Sequence, residues 1–355
     1  MTSSTVEQRA HALRVSRVVR ETADALSIVF DMPADARSEF TYSPGQFLTV
    51  RIPHETGAIA RCYSLSSAPA VDSDLQITVK RTQHGYASNW ICDNIEPGSS
   101  LLSLRPAGMF SPRRWDADLV LVAAGSGITP IMSILKTALA CHSNRVVLIY
   151  ANRDIRDVIF HNGITQLEAR YSHRLDVIHW LDSVDGPPIP EKLADRIAAV
   201  PPSAHAYLCG PAEFMKVAET VLLGCGVSAA SIHREVFASL PTDPFAPPRS
   251  PFRPTTSLTE ASQQATRVRA EIDGETHTID WPQGEVLLDA LLSENLDAPY
   301  VCREGNCGAC AFTLREGEVE MLCNDTLDDY DLEKGLRLAC QSVALTDTVS
   351  IAFDQ

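Results

Sequence analysis

The sequence predicts a multidomain chain: an antiparallel β-barrel, then an α/β domain on a parallel sheet, then a C-terminal β-grasp domain. Three observations predict it. Strand-like runs with period-2 alternation fill residues 1–113, and short apolar runs alternate with helical stretches over 114–239. Within 267–355 a hairpin and a helix lead into a loop with three cysteines in nine residues. At 355 residues the chain is also long for a single core.

In "DLQITVKR" Leu75, Ile77 and Val79 alternate with Gln76, Thr78 and Lys80, the pattern of a half-buried strand. "FLTVRI" places Leu48, Val50 and Ile52 on one face in the same way. Several such strands with Pro/Gly punctuation predict an antiparallel barrel. "LVLVAA", "VVLIYA", "LDVIHWL" and "HAYLCG" are short apolar runs separated by helix-like stretches, as a parallel sheet requires. Residues 240–266, "LPTDPFAPPRSPFRPTTSLTEASQQAT", read as an exposed, semi-stiff linker. "RVRAEIDGETHTIDW" then gives two alternating strands around Asp273 and Gly274, a strong hairpin signal, and "EVLLDALLSEN" a helix.

The formal net charge of −15 argues against nucleic acid as a partner, because phosphate neutralisation needs clustered Lys and Arg. Nearly all of it lies from Arg267 onward, where 6 basic residues face 19 acidic ones. That surface is either simply solvated or a docking face for a basic partner. The start, "MTSSTVEQRAHALRV", has no apolar signal core. The longest uncharged run, between Asp118 and Lys136, is interrupted by Gly125, Ser126, Gly127 and Pro130 and is marginal for a membrane span. The expectation is a cytoplasmic chain with no membrane contact. In that reducing setting ten cysteines signal metal or redox chemistry rather than disulfides.

The loop "CREGNCGAC" at 302–310 has the spacing C-x4-C-x2-C. Structural zinc usually takes its ligands as two separated pairs. Here Cys302, Cys307 and Cys310 crowd one loop. Its Gly305, Gly308 and Ala309 permit close backbone approach, so that loop amides can face bridging sulfides. This is the plant-type [2Fe–2S] spacing, with either Cys323 or Cys340 as the fourth thiolate. The loop resembles that of plant-type ferredoxins, whose fourth ligand follows the third by 29 intervening residues; from Cys310 that interval lands on Cys340. Cys323 is then a small, semi-buried residue.

"RCYS" at 61–64, with "SPGQF" upstream and "GYASNW" downstream, resembles the flavin domain of the ferredoxin–NADP reductase superfamily. Arg61 suits a pyrophosphate, the Tyr63 ring suits the isoalloxazine, and the Ser64 hydroxyl suits N5, the atom that takes the hydride. In "GYASNWICDNI" small residues precede a helix, so the amides of Ala87, Ser88 and Asn89 can hold phosphate at its N-terminus. Val79, Lys80 and Gly85 belong to the same expected site. A second phosphate site fits FAD better than FMN, with FMN still open. In "LVLVAAGSGITPIMSIL" Pro130 stands where a dinucleotide fingerprint has its third Gly. Thr129 reads as an N-cap with Pro130 at the first helical position, opening a helix onto a pyrophosphate. Gly125, Ser126 and Gly127 pair with a second turn, "YLCGPAEFM", where the resemblance puts Cys209, Gly210 and Pro211 beside the nicotinamide. "ANRD" supplies Asn152, Arg153 and Asp154; Arg153 and Arg156 suit a 2′-phosphate, and Asp154 repels one. Glu235 and Phe237, in "EVF", are the remaining catalytic candidates. By resemblance Phe237 covers the flavin; otherwise it is a core aromatic.

In domain order and motifs nearly the whole chain resembles the reductase components of bacterial oxygenases, most of all the family of 3-ketosteroid 9α-hydroxylase reductases. That resemblance implies FAD, NADH, one [2Fe–2S] cluster, and electron delivery to a Rieske-type oxygenase that acts on a steroid nucleus. The oxygenase is expected to dock near the acidic ferredoxin segment of a monomeric reductase. Two alternatives are the reductase of a phenylacetyl-CoA epoxidase or other aromatic-ring oxygenase, and, in another class, a non-catalytic electron carrier. A complete nicotinamide site argues against the carrier, which needs no hydride donor.

Overall fold

Residues 10–32, 37–55, 57–197, 200–240, 242–246 and 265–353 are described by the computed structural model. The first nine residues and positions 247–264 of the Pro-rich segment lie outside them. One compact unit comprises Ala12–Pro106 and Phe110–Ser239; a second holds the residues from Leu240 onward together with Ala107–Met109.

The first unit begins with six antiparallel strands: β1 (Ala10–Arg20), β2 (Ala25–Asp31), β3 (Phe47–His54), β4 (Gly57–Ser64), β5 (Leu75–Lys80) and β6 (Ser100–Leu104). Their order is β4-β3-β6-β1-β2-β5, and a bridge between Leu65 and Ile77 draws the two edges together, curling the sheet into a barrel. Ile28, Leu48, Val50, Ile52 and Ile77 fill its core. The expected outward face of β5 is less open than its alternation predicts. Thr78 is buried because its hydroxyl bonds those of Ser27 and Ser66, each at 2.8 Å. Helix α1 (Tyr86–Asn94) follows β5.

The rest of this unit is a parallel sheet of β7 (Leu119–Ala124), β8 (Val146–Asn152), β9 (Leu175–Leu181), β10 (His205–Cys209) and β11 (Ile232–Glu235), in the order β11-β10-β7-β8-β9. Helices α2 (Ile128–Cys141), α3 (His161–Arg170), α4 (Pro190–Ile197) and α5 (Ala212–Gly224) connect the strands. Leu119, Leu121 and Ala123 pack with α2 on one face, and Val120, Val122 and Ala124 with α5 on the other. Burial on both faces explains why β7 is apolar throughout. The chain runs outward from β7 through β8 to β9, then returns to lay β10 on the opposite side of β7. The ends of β7 and β10 therefore flank the topological switch point, where open α/β sheets bind ligands.

The second unit contains β12 (Thr266–Ile272), β13 (Glu275–Trp281), β14 (Ala311–Glu316), β15 (Val319–Met321), β16 (Leu336–Leu338), β17 (Ser342–Ala344) and β18 (Thr348–Ala352). Five form a mixed sheet, β13-β12-β18-β14-β16, and β15 pairs with β17 as a ribbon. Helix α6 (Leu287–Ser293) buries Leu287, Leu288 and Leu291 in a core with Trp281, Phe312 and Ile351, completing a β-grasp. Asp273 and Gly274 adopt φ of +50° and +80°, the left-handed pair that a two-residue hairpin turn demands. A short helix α7 (Asp329–Glu333) precedes β16. In the Pro-rich segment, where it is described, Phe245 is only 2% exposed, so this stretch is anchored rather than wholly exposed. Among the described residues no helix is long and apolar enough to cross a membrane.

Candidate functional site

At the switch point two turns meet backbone to backbone. A methyl group on Gly127 would overlap the Cys209 carbonyl, and one on Gly210 would lie 3.0 Å from the Ala124 Cβ. Only glycine permits this approach. Gly125, with φ of +54°, opens a single 3-10 turn through Gly127, so α2 starts at Ile128 with Gly127 as its N-cap. Thr129 is therefore not the cap. It lies inside the first turn, and its hydroxyl donates to the Ser126 carbonyl at 3.1 Å. Pro130 is tolerated there because first-turn amides lack intrahelical acceptors. No side chain caps this helix, which suits an anion at its start.

Tyr150, which the sequence reading did not single out, fixes the turn from β8. Its hydroxyl donates to the Gly125 carbonyl at 3.0 Å and accepts from the Ile159 amide at 3.2 Å. A lone tyrosine near the end of an aliphatic strand was the available signal. Asn152, two residues on and on the same face, is 6% exposed; its side chain interacts with the Tyr150 hydroxyl, but among the described residues neither its side-chain nitrogen nor its oxygen has a hydrogen-bond partner of good geometry. A buried carboxamide of this kind fits a polar ligand at the strand ends.

Cys209 and Glu235 are register partners at the ends of β10 and β11. Burial, with a smaller contribution from Glu235, pushes the Cys209 thiol well up. The Glu235 residue retains some exposed surface, but its carboxyl is densely enclosed, and burial pushes it up to about 8. Near neutral pH this end of the crevice thus presents two uncharged donors. Phe237 is 51% exposed, which removes the core-aromatic reading and leaves its ring open to a ligand.

On the barrel side, Arg61, Tyr63 and Ser64 end β4. Tyr63 packs against the barrel core, and burial raises its hydroxyl above the usual range while Arg61 partly opposes that. The Arg61 guanidinium donates to the Ala60 carbonyl at 2.7 Å, and Ser64 is 5% exposed. Val79 is buried; next to it the Lys80 ammonium lies 4.0 Å from the position a side chain on Gly125 would take, so β5 reaches the Gly-Ser-Gly turn. Helix α1 starts after Gly85 with no side-chain cap, and Ala87 and Ser88 are buried in its first turn. The Asn89 side chain is engaged locally, donating to the carbonyls of Thr82 (3.0 Å) and Gly85 (2.6 Å). Near the "ANRD" turn the basic groups are already paired. Arg156 meets Asp154 at 2.7 Å, and Arg153 lies 3.8 Å from Asp24 and 3.7 Å from Asp157.

In the second unit Cys302, Cys310 and Cys340 are at most 5% exposed, and Cys307 is half-buried. Their thiols influence one another's ionisation as two pairs, Cys302 with Cys307 and Cys310 with Cys340. The Cys307 thiol draws Cys302 below the usual thiol value and is itself raised; Cys340 is lowered by Cys310, which is raised in turn. Among the described residues no three His, Cys, Asp or Glu side chains converge on one metal-ion position. Two dithiol pairs suit two irons, the donor set of a [2Fe–2S] cluster. The loop amide of Glu304 donates to the Cys302 sulfur at 3.3 Å. Gly305 and Gly308 hold φ of +84° and +69°, and a side chain on Gly305 would press on the Cys323 carbonyl at 3.0 Å. Cys323 lies beside the loop, but its own thiol bonds Asp325 at 3.6 Å and belongs to neither pair.

Three family models match in this order: an oxidoreductase FAD-binding domain over residues 12–111, an oxidoreductase NAD-binding domain over 121–220, and a 2Fe-2S iron-sulfur cluster binding domain over 270–345. The chain is 48% identical to the ferredoxin reductase component of 3-ketosteroid-9-alpha-monooxygenase from Rhodococcus rhodochrous, covering 97% of each chain. It is 30% identical to one of the subunits of 1,2-phenylacetyl-CoA epoxidase from Escherichia coli, over 97% of this chain and 98% of that one. Among solved structures it shares the fold of phthalate dioxygenase reductase, with a TM-score of 0.56 at 21% identity over 99% and 100% of the two chains.

Proposed function

The chain belongs to the family of ferredoxin reductase components of 3-ketosteroid 9α-monooxygenases, and from that membership we propose that it takes hydride from NADH and delivers electrons singly to a Rieske-type oxygenase acting on a steroid nucleus. When bound, FAD supplies conversion of a hydride pair into single electrons, and the [2Fe–2S] cluster supplies one-electron relay. The proposed domains are 1–113 for flavin, 114–239 for nicotinamide and 267–355 for the cluster, joined by 240–266.

In this reading Arg61 holds the flavin pyrophosphate, Tyr63 lies on the ring system, and Ser64 directs its hydroxyl to N5. The start of α1 takes the second phosphate, which favours FAD. Gly125, Ser126, Gly127, Gly210 and Pro211 shape the crevice for the nicotinamide nucleotide, and Asn152 supplies a polar contact there. Cys209 and Glu235, both neutral, keep charge away from the hydride acceptor, and Phe237 covers the ring until nicotinamide arrives. NADH over NADPH is supported by the carboxylates of Asp154, Asp24 and Asp157, which already occupy Arg156 and Arg153 and repel a 2′-phosphate. Cys302, Cys307, Cys310 and Cys340 hold the cluster. The acidic second unit is the docking side of a monomeric, cytoplasmic reductase.

The observation that carries this reading is the burial of Cys302, Cys310 and Cys340 with half-buried Cys307 beside them, in a chain whose Gly127 and Gly210 turns meet at the switch point of a parallel sheet. Reconstitution with NADH and a purified Rieske-type 3-ketosteroid oxygenase tests it. NADH-dependent steroid hydroxylation is expected. Support of a phenylacetyl-CoA epoxidase with no steroid turnover would overturn it.

A further inference from the structure

We propose that the part-buried Arg303–Asp289 ion pair is a positioning clamp that holds the three-cysteine loop against the Cys340 segment and biases how readily the cluster takes an electron. The inference rests on the reading of Cys302, Cys307, Cys310 and Cys340 as the cluster ligands.

Asp289 is out of place by sequence pattern. It lies in α6 among Leu287, Leu288, Ala290 and Leu291, all buried, and its own side chain is 4% exposed. A carboxylate in such surroundings is tolerated only if it is paired. Its partner is the guanidinium of Arg303, the residue directly after Cys302, whose side chain is 18% exposed. Arg303 has φ of +62°, a conformation that residues with a Cβ rarely adopt and that persists only when its surroundings impose it.

Those surroundings tie the ligand set together. The guanidinium lies 5.6 Å from the centre of the Tyr300 ring, two residues before Cys302. The Arg303 carbonyl accepts from the Gln341 side chain at 3.1 Å, and Gln341 follows Cys340. From α6 the Leu288 amide donates to the Ala339 carbonyl at 2.9 Å, just before Cys340. Arg303 and α6 therefore each contact both the Cys340 segment and one another. The guanidinium is also close enough to interact electrostatically with Cys310 and Cys340. A reduced cluster carries one more negative charge, so the Arg303 cation favours reduction and the Asp289 anion opposes it.

The test uses the full-length holoprotein, with iron content, the visible spectrum and the midpoint potential of the cluster as readouts. Asp289→Asn leaves the cation in place and is expected to raise the midpoint potential. Arg303→Gln leaves the anion and is expected to lower it. At a fixed potential each changes the reduced-to-oxidised ratio several-fold, in opposite directions, while Arg303→Lys stays close to the parent. Arg303→Gln strands the buried Asp289 carboxylate and Asp289→Asn leaves the half-buried guanidinium unpaired by it, so the double variant Asp289→Asn/Arg303→Gln should retain more iron on warming than either single variant. Shifts of the same sign, unchanged potentials, or a double variant that loses iron as fast as the worse single one overturn the clamp. Failure of the underlying ligand reading looks different: the parent protein itself would then lack the [2Fe–2S] spectrum.

Discussion

Cys323 and Cys340 lie on adjoining segments, yet only one has a sulfur partner. Cys340 is buried and its ionisation is tied to that of Cys310, whereas the Cys323 thiol turns to Asp325. Cys340→Ser should therefore lose most of its iron, because thiolate is the softer and stronger ligand. Its NADH–ferricyanide activity should survive, since the flavin and nicotinamide motifs lie before residue 240. Cys323→Ser should keep both iron and activity; iron analysis and absorbance of the two variants decide the matter, and the reverse result removes the plant-type assignment. Glu235 makes a second residue-scale prediction. Its carboxyl, at about 8, stays protonated through neutral pH. Between the ordinary value of 4.5 and about 8 the folded chain holds a proton that the unfolded chain has released, so this group's contribution to stability declines as pH rises through that window and then levels off. For the reaction, NADH-dependent flavin reduction should fall above about pH 8 as charge develops beside Cys209. Glu235→Gln should abolish that fall, which stopped-flow rates across pH would read.

Among the elements, the two turns at the switch point are the most constrained. Gly127→Ala forces its methyl into the Cys209 carbonyl, and overpacking of this kind costs about 1–3 kcal/mol. Taken up as displacement of the two turns, that corresponds to about a 5- to 150-fold rise in KM for NADH. FAD and iron content should stay at parent levels, and steady-state kinetics with cofactor analysis check both. Elements with a local signature were legible beforehand: the apolar β7, the Asp273 and Gly274 hairpin, the Gly-Ser-Gly turn and the cysteine loop each carry their geometry in adjacent residues. What depended on distant partners was not. Thr129 looked like a cap because Ser/Thr before Pro usually is one, but the preceding 3-10 turn moved the helix start to Ile128. Tyr150, the Thr78 hydroxyl network and the Arg303–Asp289 pair join residues separated by 9 to 51 positions, and no local pattern announces them.

For the whole molecule, charge distribution sets the remaining prediction. Most of the net charge of −15 lies from Arg267 onward, but not all of it is available to a partner. Within "DTLDDYDLE", Asp331 is buried, and the Asp328 side chain caps α7 by accepting from the Asp331 amide at 2.9 Å. Both are thus engaged within the fold. Asp325, Asp329, Glu333, Glu316, Glu318 and Glu320 stay exposed and form the field that a basic oxygenase face would meet. Such a field acts mainly on encounter rate and is screened over about 10 Å at 0.1 M salt. Rising salt should therefore slow electron delivery to the oxygenase while leaving NADH–ferricyanide turnover nearly constant, because ferricyanide does not dock at that face. Paired assays across one salt series separate the two. Neutralising Glu316, Glu318 and Glu320 together should flatten the salt response of the oxygenase assay. A parent response that is flat from the start would make the acidic surface a solvated face and move the docking side elsewhere.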